Sequence, residues 1–192
     1  MSEKPVTNVL VVGVGGQGII RLSNIIAEAA FQAGDDVKKS EIHGLSQRGG
    51  SVMSHIRWGE KVHTPVIMEG DADYILALEE LEALRNVHML KPGGRIVVSD
   101  FRLLPATVVS GSAKYPEDID ARLAEYGEVK RVDAAGIARG LGNIKASNIV
   151  VLGVFSKWLG IPEDTWVSIL KDTFPEKFLE LNLNAFAAGS SA

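Results

Sequence analysis

The stretch that decides the fold is Asn8-Val-Leu-Val-Val-Gly-Val-Gly-Gly-Gln-Gly18. It opens with a continuous apolar run ending in glycine, which is typical of a strand buried on both faces of a parallel sheet. From Gln17 to Ala33 the apolar residues recur at steps of three and four, and Gly34 follows, so a helix is predicted there. Strand, glycine turn and helix together form the opening unit of an α/β fold.

The alternation of strands and helices continues along the chain. Extended segments are predicted over residues 36–42, 51–58, 73–78, 95–99 and 128–132, with helices over 79–89, 116–126, 148–159 and 178–188. A hairpin turn is predicted at 58–62, and the helix over 148–159, apolar almost all round, is expected in the core. These elements predict a three-layer, Rossmann-like α/β domain with a mainly parallel sheet and a helix-rich C-terminal part.

Composition and charge exclude several classes of function. The formal net charge of −4 lacks the positive excess that gathers nucleic acid or anionic lipid, so neither is an expected partner. The first seven residues show no signal-peptide pattern, and apolar runs such as 149–155 are far shorter than the roughly 20 residues of a membrane span, which predicts a cytoplasmic protein. The chain has no cysteine, which excludes disulfides, thiolate zinc sites, bound iron–sulfur clusters and a cysteine nucleophile.

The glycine turn is the first candidate site. Its candidate ligand-binding residues are Gly13, Gly15, Gly16, Gln17 and Gly18, which satisfy G-x-G-x-x-G between a strand and a helix. The glycines are expected to allow a tight turn, close approach of a phosphate and close packing of helix on strand. Phosphate binding is therefore one interpretation, and a purely structural turn is the other.

A nicotinamide dinucleotide is a weak expectation for this turn. The acidic residue that should hold a ribose is supplied only loosely, by Glu41, and His43-Gly44 follows it. Gln17 also adds a neutral amide at the start of the helix. A ligand other than NAD stays open.

The second candidate site is the loop over residues 40–51. Its candidate ligand-binding residues are Ser46, Gln47, Arg48, Gly49 and Gly50, because Arg48 can fork onto a carboxylate or phosphate beside two glycines that let backbone approach. An ion-paired surface arginine is the alternative interpretation.

The four histidines offer no metal site. His43, in the same loop, is either a proton carrier or a structural hydrogen-bonding group. His55, His63 and His88 show no metal-ligand spacing with one another, so no metal ligand is assigned.

These two motifs carry a resemblance to a known family. The chain resembles the small, gamma-type subunit of 2-oxoacid:ferredoxin oxidoreductases. The likeness rests on Gly13-Val-Gly-Gly-Gln-Gly18, followed by Glu41-Ile-His-Gly-Leu-Ser-Gln-Arg-Gly-Gly-Ser-Val-Met-Ser-His-Ile-Arg57. Within that family the chain is most similar to the beta subunit of indolepyruvate ferredoxin oxidoreductases. Relatives acting on pyruvate or 2-oxoglutarate often carry Pro-Glu-x-Arg-Gly-Gly, whereas this chain has Leu45-Ser-Gln-Arg-Gly-Gly50, which favours the aryl-pyruvate branch.

The resemblance implies a subunit that is inactive alone. It implies one gamma-type catalytic domain over residues 1–192, and a larger partner that holds thiamine diphosphate, magnesium and 4Fe-4S clusters. The complex would convert a 2-oxo acid to an acyl-CoA, with coenzyme A as co-substrate and ferredoxin as electron acceptor. No cofactor is assigned to this chain: it has no cysteine, and Gly70-Asp-Ala-Asp73 departs from the Gly-Asp-Gly pattern that holds magnesium and thiamine diphosphate.

Three other functions remain open from the residues. The glycine turn is also typical of a stand-alone NAD(P)-dependent oxidoreductase, although 192 residues leave little room for a substrate domain. A helix stop followed by a strand, here Leu90-Lys-Pro-Gly-Gly-Arg-Ile-Val-Val98, is found in many methyltransferases. Termination of the helix by Pro and Gly is a sufficient structural explanation for it. A regulatory nucleotide-binding module is the third.

Overall fold

The computed structural model describes residues 5–43 and 49–192, with only the backbone of His43. Its strands are β1 (Thr7–Val14), β2 (Asp36–His43), β3 (Ser51–Gly59), β4 (Ala72–Ala77), β5 (Leu90–Ser99) and β6 (Glu128–Val132). Its α-helices are α1 (Ile19–Gln32), α2 (Glu80–Asn86), α3 (Ala106–Val109), α4 (Ile119–Ala124), α5 (Ala134–Gly140), α6 (Ser147–Ser156), α7 (Glu163–Thr173) and α8 (Glu176–Ser190). Single 3-10 turns form at Val87–Met89 and Ile144–Ala146.

The strands form one mainly parallel sheet in the order β2-β3-β1-β4-β5-β6. Strands β1, β4, β5 and β6 pair in parallel, while β3 is antiparallel to both β1 and β2. The chain leaves β1 toward β2 on one side and later returns to β4 on the other. Strands β1 and β4 therefore flank a topological switch point, where open α/β sheets form their ligand crevice.

Helices cover both faces of the sheet, which confirms the predicted three-layer α/β fold. In β1, Val9 and Val11 face the core built with α1 and α5 to α8. Leu10 and Val12 face a second core built with α2 and α4. Because successive strand residues point to opposite faces, this fully apolar strand feeds both layers.

The apolar helix expected in the core is α6, and the structure buries it. All residues from Asn148 to Ser156 are buried. A Cβ on Gly153 would lie 2.2 Å from the Phe186 carbonyl oxygen, and one on Gly189 would lie 2.0 Å from the Val150 carbonyl oxygen. The two glycines therefore let the backbones of α6 and α8 approach closely.

Two expectations about local structure were wrong. The hairpin predicted at 58–62 does not form, because β4 pairs with β1 and not with β3; the hairpin partners are β2 and β3. The helix predicted over 116–126 begins only at Ile119, since the residues before it are not buried and gain no packing. In the described part of the chain, no helix is both long enough and apolar enough to cross a membrane.

Candidate functional site

The glycine turn lies at the carboxyl end of β1, at the switch point. Gly16 and Gly18 have φ angles of 104° and 81°, a left-handed conformation that glycine adopts without strain. Helix α1 then begins with no capping side chain and no acidic residue in its first turn. Its first intrahelical hydrogen bond runs from the Leu22 amide to the Gly18 carbonyl at 3.0 Å, so the amides of that turn are open to an anion.

The side chain of Gln17 braces the turn against the sheet. Its Oε1 accepts a hydrogen bond from the Val14 amide at 2.7 Å, and its Nε2 donates to the Leu78 carbonyl at 2.9 Å. These contacts tie the end of β1 to the residue that follows β4. Gln17 thus holds the turn in place with its side-chain amide.

Two glycines have roles that differ from the sequence expectation. A Cβ on Gly13 would lie 2.7 Å from Gln17 Oε1, so this glycine makes room for the brace. A Cβ on Gly18 would lie 2.5 Å from Asn148 Nδ2, on α6. Gly18 therefore permits a close approach to a distant helix, where helix-on-strand packing was expected.

The structure brings the end of the second candidate loop against the glycine turn. The Gly15 amide donates to the Gly50 carbonyl at 2.8 Å, and the Gly49 amide donates to the Gly15 carbonyl at 3.4 Å. Ser46, Gln47 and Arg48 lie outside the described residues. The geometry therefore unites the two glycine segments.

A cleft opens on the α1 side of the glycine turn. It has a volume of about 480 Å³ and runs between the start of α1 and the start of α6. Its lining includes Gly16, Gln17, Gly18, Arg21, Leu78, Ser99, Phe101, Ile144, Lys145, Ser147, Asn148 and Val151. Sequence reasoning missed Arg21, Lys145 and Asn148; for Lys145 and Asn148 the available signal was that four of the six residues over 143–148, at the start of an apolar helix, are polar. We name this space the α1–α6 cleft.

Buried carboxylates lie on the opposite, α2 side of the turn. Glu79, Glu80 and Glu82, which we call the acidic cluster, are 1, 3 and 2% exposed. Glu79 accepts hydrogen bonds from the Glu82 amide at 2.8 Å and the Leu103 amide at 3.1 Å, but burial outweighs them and raises its pKa. Burial also acts to raise the pKa of Glu80, yet hydrogen bonds from Arg102 and Arg131 prevail and lower it.

The acidic cluster holds both neighbouring loops at this edge of the sheet. Ser51 Oγ, just after the paired glycines, donates to Glu82 Oε2 at 2.6 Å. Tyr115 Oη donates to Glu80 Oε1 at 3.1 Å, and burial together with the charges of Glu79 and Glu80 raises the pKa of that phenol. Sequence reasoning read these glutamates only as part of a short helix, because burial of three charges cannot be seen in a local pattern.

Glu41, which the sequence offered as a loose match to the acidic ribose ligand, lies away from the glycine turn. It is on β2, where it accepts a hydrogen bond from Lys39 Nζ at 2.6 Å, and β3 separates its strand from β1. His43 is the last residue of β2. Among the described residues, no group of three or more histidine or acidic side chains could hold a metal ion.

Comparisons with known proteins agree with this architecture. The family model for pyruvate ferredoxin/flavodoxin oxidoreductase matches residues 8–192. Indolepyruvate oxidoreductase subunit IorB of Archaeoglobus fulgidus is 39% identical over 188 residues, covering 95% of this chain and 92% of that protein. The same subunit of Thermococcus kodakarensis is 37% identical over 191 residues, covering 96% of this chain and 95% of that protein.

A solved structure shares the fold. It is the 2-oxoglutarate:ferredoxin oxidoreductase of Magnetococcus marinus with 2-oxoglutarate, coenzyme A and succinyl-CoA bound, and it aligns with a TM-score of 0.74 at 25% identity. The alignment covers 100% of this chain and 31% of that one. The whole of this chain thus matches one part of a longer protein.

Proposed function

Because this chain belongs to the pyruvate ferredoxin/flavodoxin oxidoreductase family, as the resemblance predicted, we propose that it is the small subunit of an indolepyruvate ferredoxin oxidoreductase. The complex oxidatively decarboxylates indolepyruvate or a related aryl pyruvate, passes electrons to ferredoxin and transfers the acyl group to coenzyme A. The relatives at 37 and 39% identity support the aryl-pyruvate branch. Residues 1–192 act in it as one gamma-type domain.

The carbon and electron chemistry of this reaction belongs to a larger partner. The chain has no cysteine, and an iron–sulfur cluster in a ferredoxin-reducing enzyme is held by cysteine thiolates. Thiamine diphosphate with magnesium would be held by the partner and would supply the chemistry that decarboxylates the 2-oxo acid. The small subunit contributes a binding wall.

The observation that carries the proposal is the open glycine turn at the switch point. The amides at the start of α1 have no side-chain cap and adjoin the α1–α6 cleft, and Gly49 and Gly50 are hydrogen bonded to Gly15 beside them. Backbone amides at a helix start bind phosphate oxygens without any side chain. We assign this wall, comprising Gly13, Gly15, Gly16, Gln17, Gly18 and residues 46–50, to the phosphates of coenzyme A.

The experiment is reconstitution with the larger subunit encoded in the native host. Indolepyruvate-dependent reduction of ferredoxin is measured as coenzyme A is varied. Replacing Arg48 by Ala is expected to raise the KM for coenzyme A about tenfold, the effect of losing one charge-assisted hydrogen bond of roughly 1.5 kcal/mol.

The matched control is Arg122→Ala, because Arg122 is exposed on α4 and lines neither the turn nor the cleft. It should leave the KM unchanged. An inactive complex with all cofactors loaded would contradict the function, and an unchanged KM in Arg48→Ala would remove that residue from the wall.

A further inference from the structure

We propose that Glu82 is a positioning residue for the reaction: through Ser51 it fixes the end of the β2–β3 loop and thereby sets the affinity for coenzyme A. The β2–β3 loop is the segment over residues 44–50, between the two strands. The inference rests on the proposed function, which places residues 46–50 against coenzyme A. Glu82 itself is buried on α2, so it acts through its partner and not by contact with the ligand.

The β2–β3 loop ends on two residues that have no side chain with which to anchor it. Gly49 has a φ angle of 75°, in the left-handed region, and Gly50 follows it. Backbone hydrogen bonds to Gly15, of 3.4 Å from Gly49 and 2.8 Å to Gly50, tie this end to the glycine turn. Ser51, the first residue of β3, is therefore the first position after the glycines at which a side chain can fix the loop.

Close packing does not hold the end of the loop on its α2 side. A cavity of about 250 Å³ lies there, and Gly49, Glu82 and Arg85 are among the residues that line it. The contact from α2 to the start of β3 is polar, because Ser51 Oγ donates to Glu82 Oε2 at 2.6 Å. A hydrogen bond to a carboxylate is short and roughly twice as strong as one between neutral groups. It can therefore fix the loop end where apolar packing is missing.

The side chain of Glu82 does not take the role that its place in α2 offers. Glu79 is the N-cap of this helix and accepts from the Glu82 amide at 2.8 Å, which is the first bond of a capping box. The second bond would turn the Glu82 carboxylate back to the amide of the N-cap. Its two oxygens instead accept from Ser51 Oγ and from Arg85 Nη1, the latter at 2.5 Å. Helix capping therefore does not account for the direction of this side chain.

Folding alone does not require the bond between Ser51 and Glu82. Glu82 is 2% exposed, and a buried carboxylate is strongly unfavourable unless it is paired. Arg85 provides that pairing from the solvent side, with its side chain 51% exposed. Ser51 is exposed, so water can satisfy its hydroxyl. The main consequence of the bond is thus the placement of the loop end.

Kinetics of the reconstituted complex test the role, with coenzyme A varied at saturating 2-oxo acid. Ser51→Ala and Glu82→Leu are each expected to raise the KM for coenzyme A about tenfold, the equivalent of about 1.4 kcal/mol, and to leave kcat unchanged. Ser51→Thr keeps a hydroxyl and should restore the wild-type KM. The double variant should be no worse than either single variant, because both changes remove the same bond.

The matched control is Glu80→Leu. Glu80 lies on the same turn of α2 and is 3% exposed, but its carboxylate binds Arg102 and Arg131, which belong to the segment after β5 and to β6. The control should lower the stability of the protein and leave the KM for coenzyme A unchanged. An unchanged KM in Ser51→Ala, or an equal rise in the control, would overturn the positioning role.

Equilibrium binding separates this inference from the proposed function. Calorimetric titration of coenzyme A into the complex needs no turnover, so its result does not depend on which 2-oxo acid the complex uses. If the complex is inactive on aryl pyruvates but Ser51→Ala still weakens the binding of coenzyme A, the positioning role stands and the function fails. If the complex is active and Ser51→Ala binds coenzyme A as tightly as the wild type, the function stands and the positioning role fails.

Discussion

Replacement of Gln17 by leucine is expected to cost stability well beyond that of an ordinary surface change. The glutamine is the brace between two strand ends: it accepts from the Val14 amide at 2.7 Å and donates to the Leu78 carbonyl at 2.9 Å. Leucine has a similar volume and can make neither bond. The change therefore isolates the hydrogen bonds from the packing.

The magnitude follows from the burial of the partners. Val14 is 7% exposed, so its amide loses the Gln17 acceptor in a place that water reaches poorly. Each hydrogen bond contributes about 1 kcal/mol net, and a buried group left without a partner costs about 1–3 kcal/mol. The expected loss is about 2–4 kcal/mol, which lowers the Tm of a domain of this size by roughly 5–15 °C.

Urea unfolding followed by tryptophan fluorescence and far-ultraviolet circular dichroism measures the loss. Gln17→Glu is the matched variant, because its carboxylate can still accept from the Val14 amide but cannot donate to the Leu78 carbonyl when ionised. It should lie between wild type and the leucine variant at pH 7. A loss below about 0.5 kcal/mol in Gln17→Leu would refute the brace.

Three further outcomes are expected. Gly153→Ala places a Cβ 2.2 Å from the Phe186 carbonyl oxygen and should cost about 3 kcal/mol in the unfolding free energy; an unchanged Tm would contradict this close approach. Burial raises the pKa of Glu80, but the hydrogen bonds from Arg102 and Arg131 outweigh it and keep the pKa in the folded protein below 4.5. The stability that ionised Glu80 contributes is therefore present above pH 4.5 and is lost as the pH falls below it. Glu80→Gln should lower the urea midpoint relative to the wild type at pH 7, and the two midpoints should approach each other at pH 3.5. Burial, and then the charge of Arg57, lower the pKa of His55 below 6.5. The wild type should therefore lose stability as the pH falls from 7.5 to 5.5, because the unfolded chain binds a proton at His55 more readily. If the stability of His55→Gln falls with pH as steeply as that of the wild type, another group is responsible.

The sequence predicts the elements whose signals are local. The apolar run before Gly13 and the three-and-four spacing after Gln17 predict β1 and α1 because a buried strand and an amphipathic helix each leave a pattern within about fifteen residues. The hairpin predicted at Gly59 was wrong because strand pairing is not a local property. A sequence that suits a turn does not determine which strand pairs with the next one, and here β4 pairs with β1, more than fifty residues earlier.

The site was only half visible in the sequence. The glycine turn is recognised by the spacing of its glycines. Asn148, by contrast, follows Gly18 by 130 residues in the sequence and comes close to it only because α6 packs onto the sheet. Lys145 and Arg21 are unremarkable charges until that packing brings them to one cleft. The acidic cluster was missed because a Glu-Glu-x-Glu start looks like an ordinary exposed first turn of a helix.

The position of β3 explains why a dinucleotide motif here need not hold a dinucleotide. In the NAD-binding fold the strand after the first helix pairs directly with β1, so its terminal acid reaches the ribose of a nucleotide whose pyrophosphate lies on the glycine turn. Here antiparallel β3 intervenes, so Glu41 on β2 lies two strand spacings from β1, roughly 10 Å, where the NAD-binding fold has one spacing. The start of α1 keeps uncapped amides, but no acidic residue reaches the place of the ribose ligand, while Lys145 and Asn148 line the cleft beside the turn. The fold thus has the glycine turn and open helix start of the motif but lacks the acidic residue that makes the motif specific to NAD.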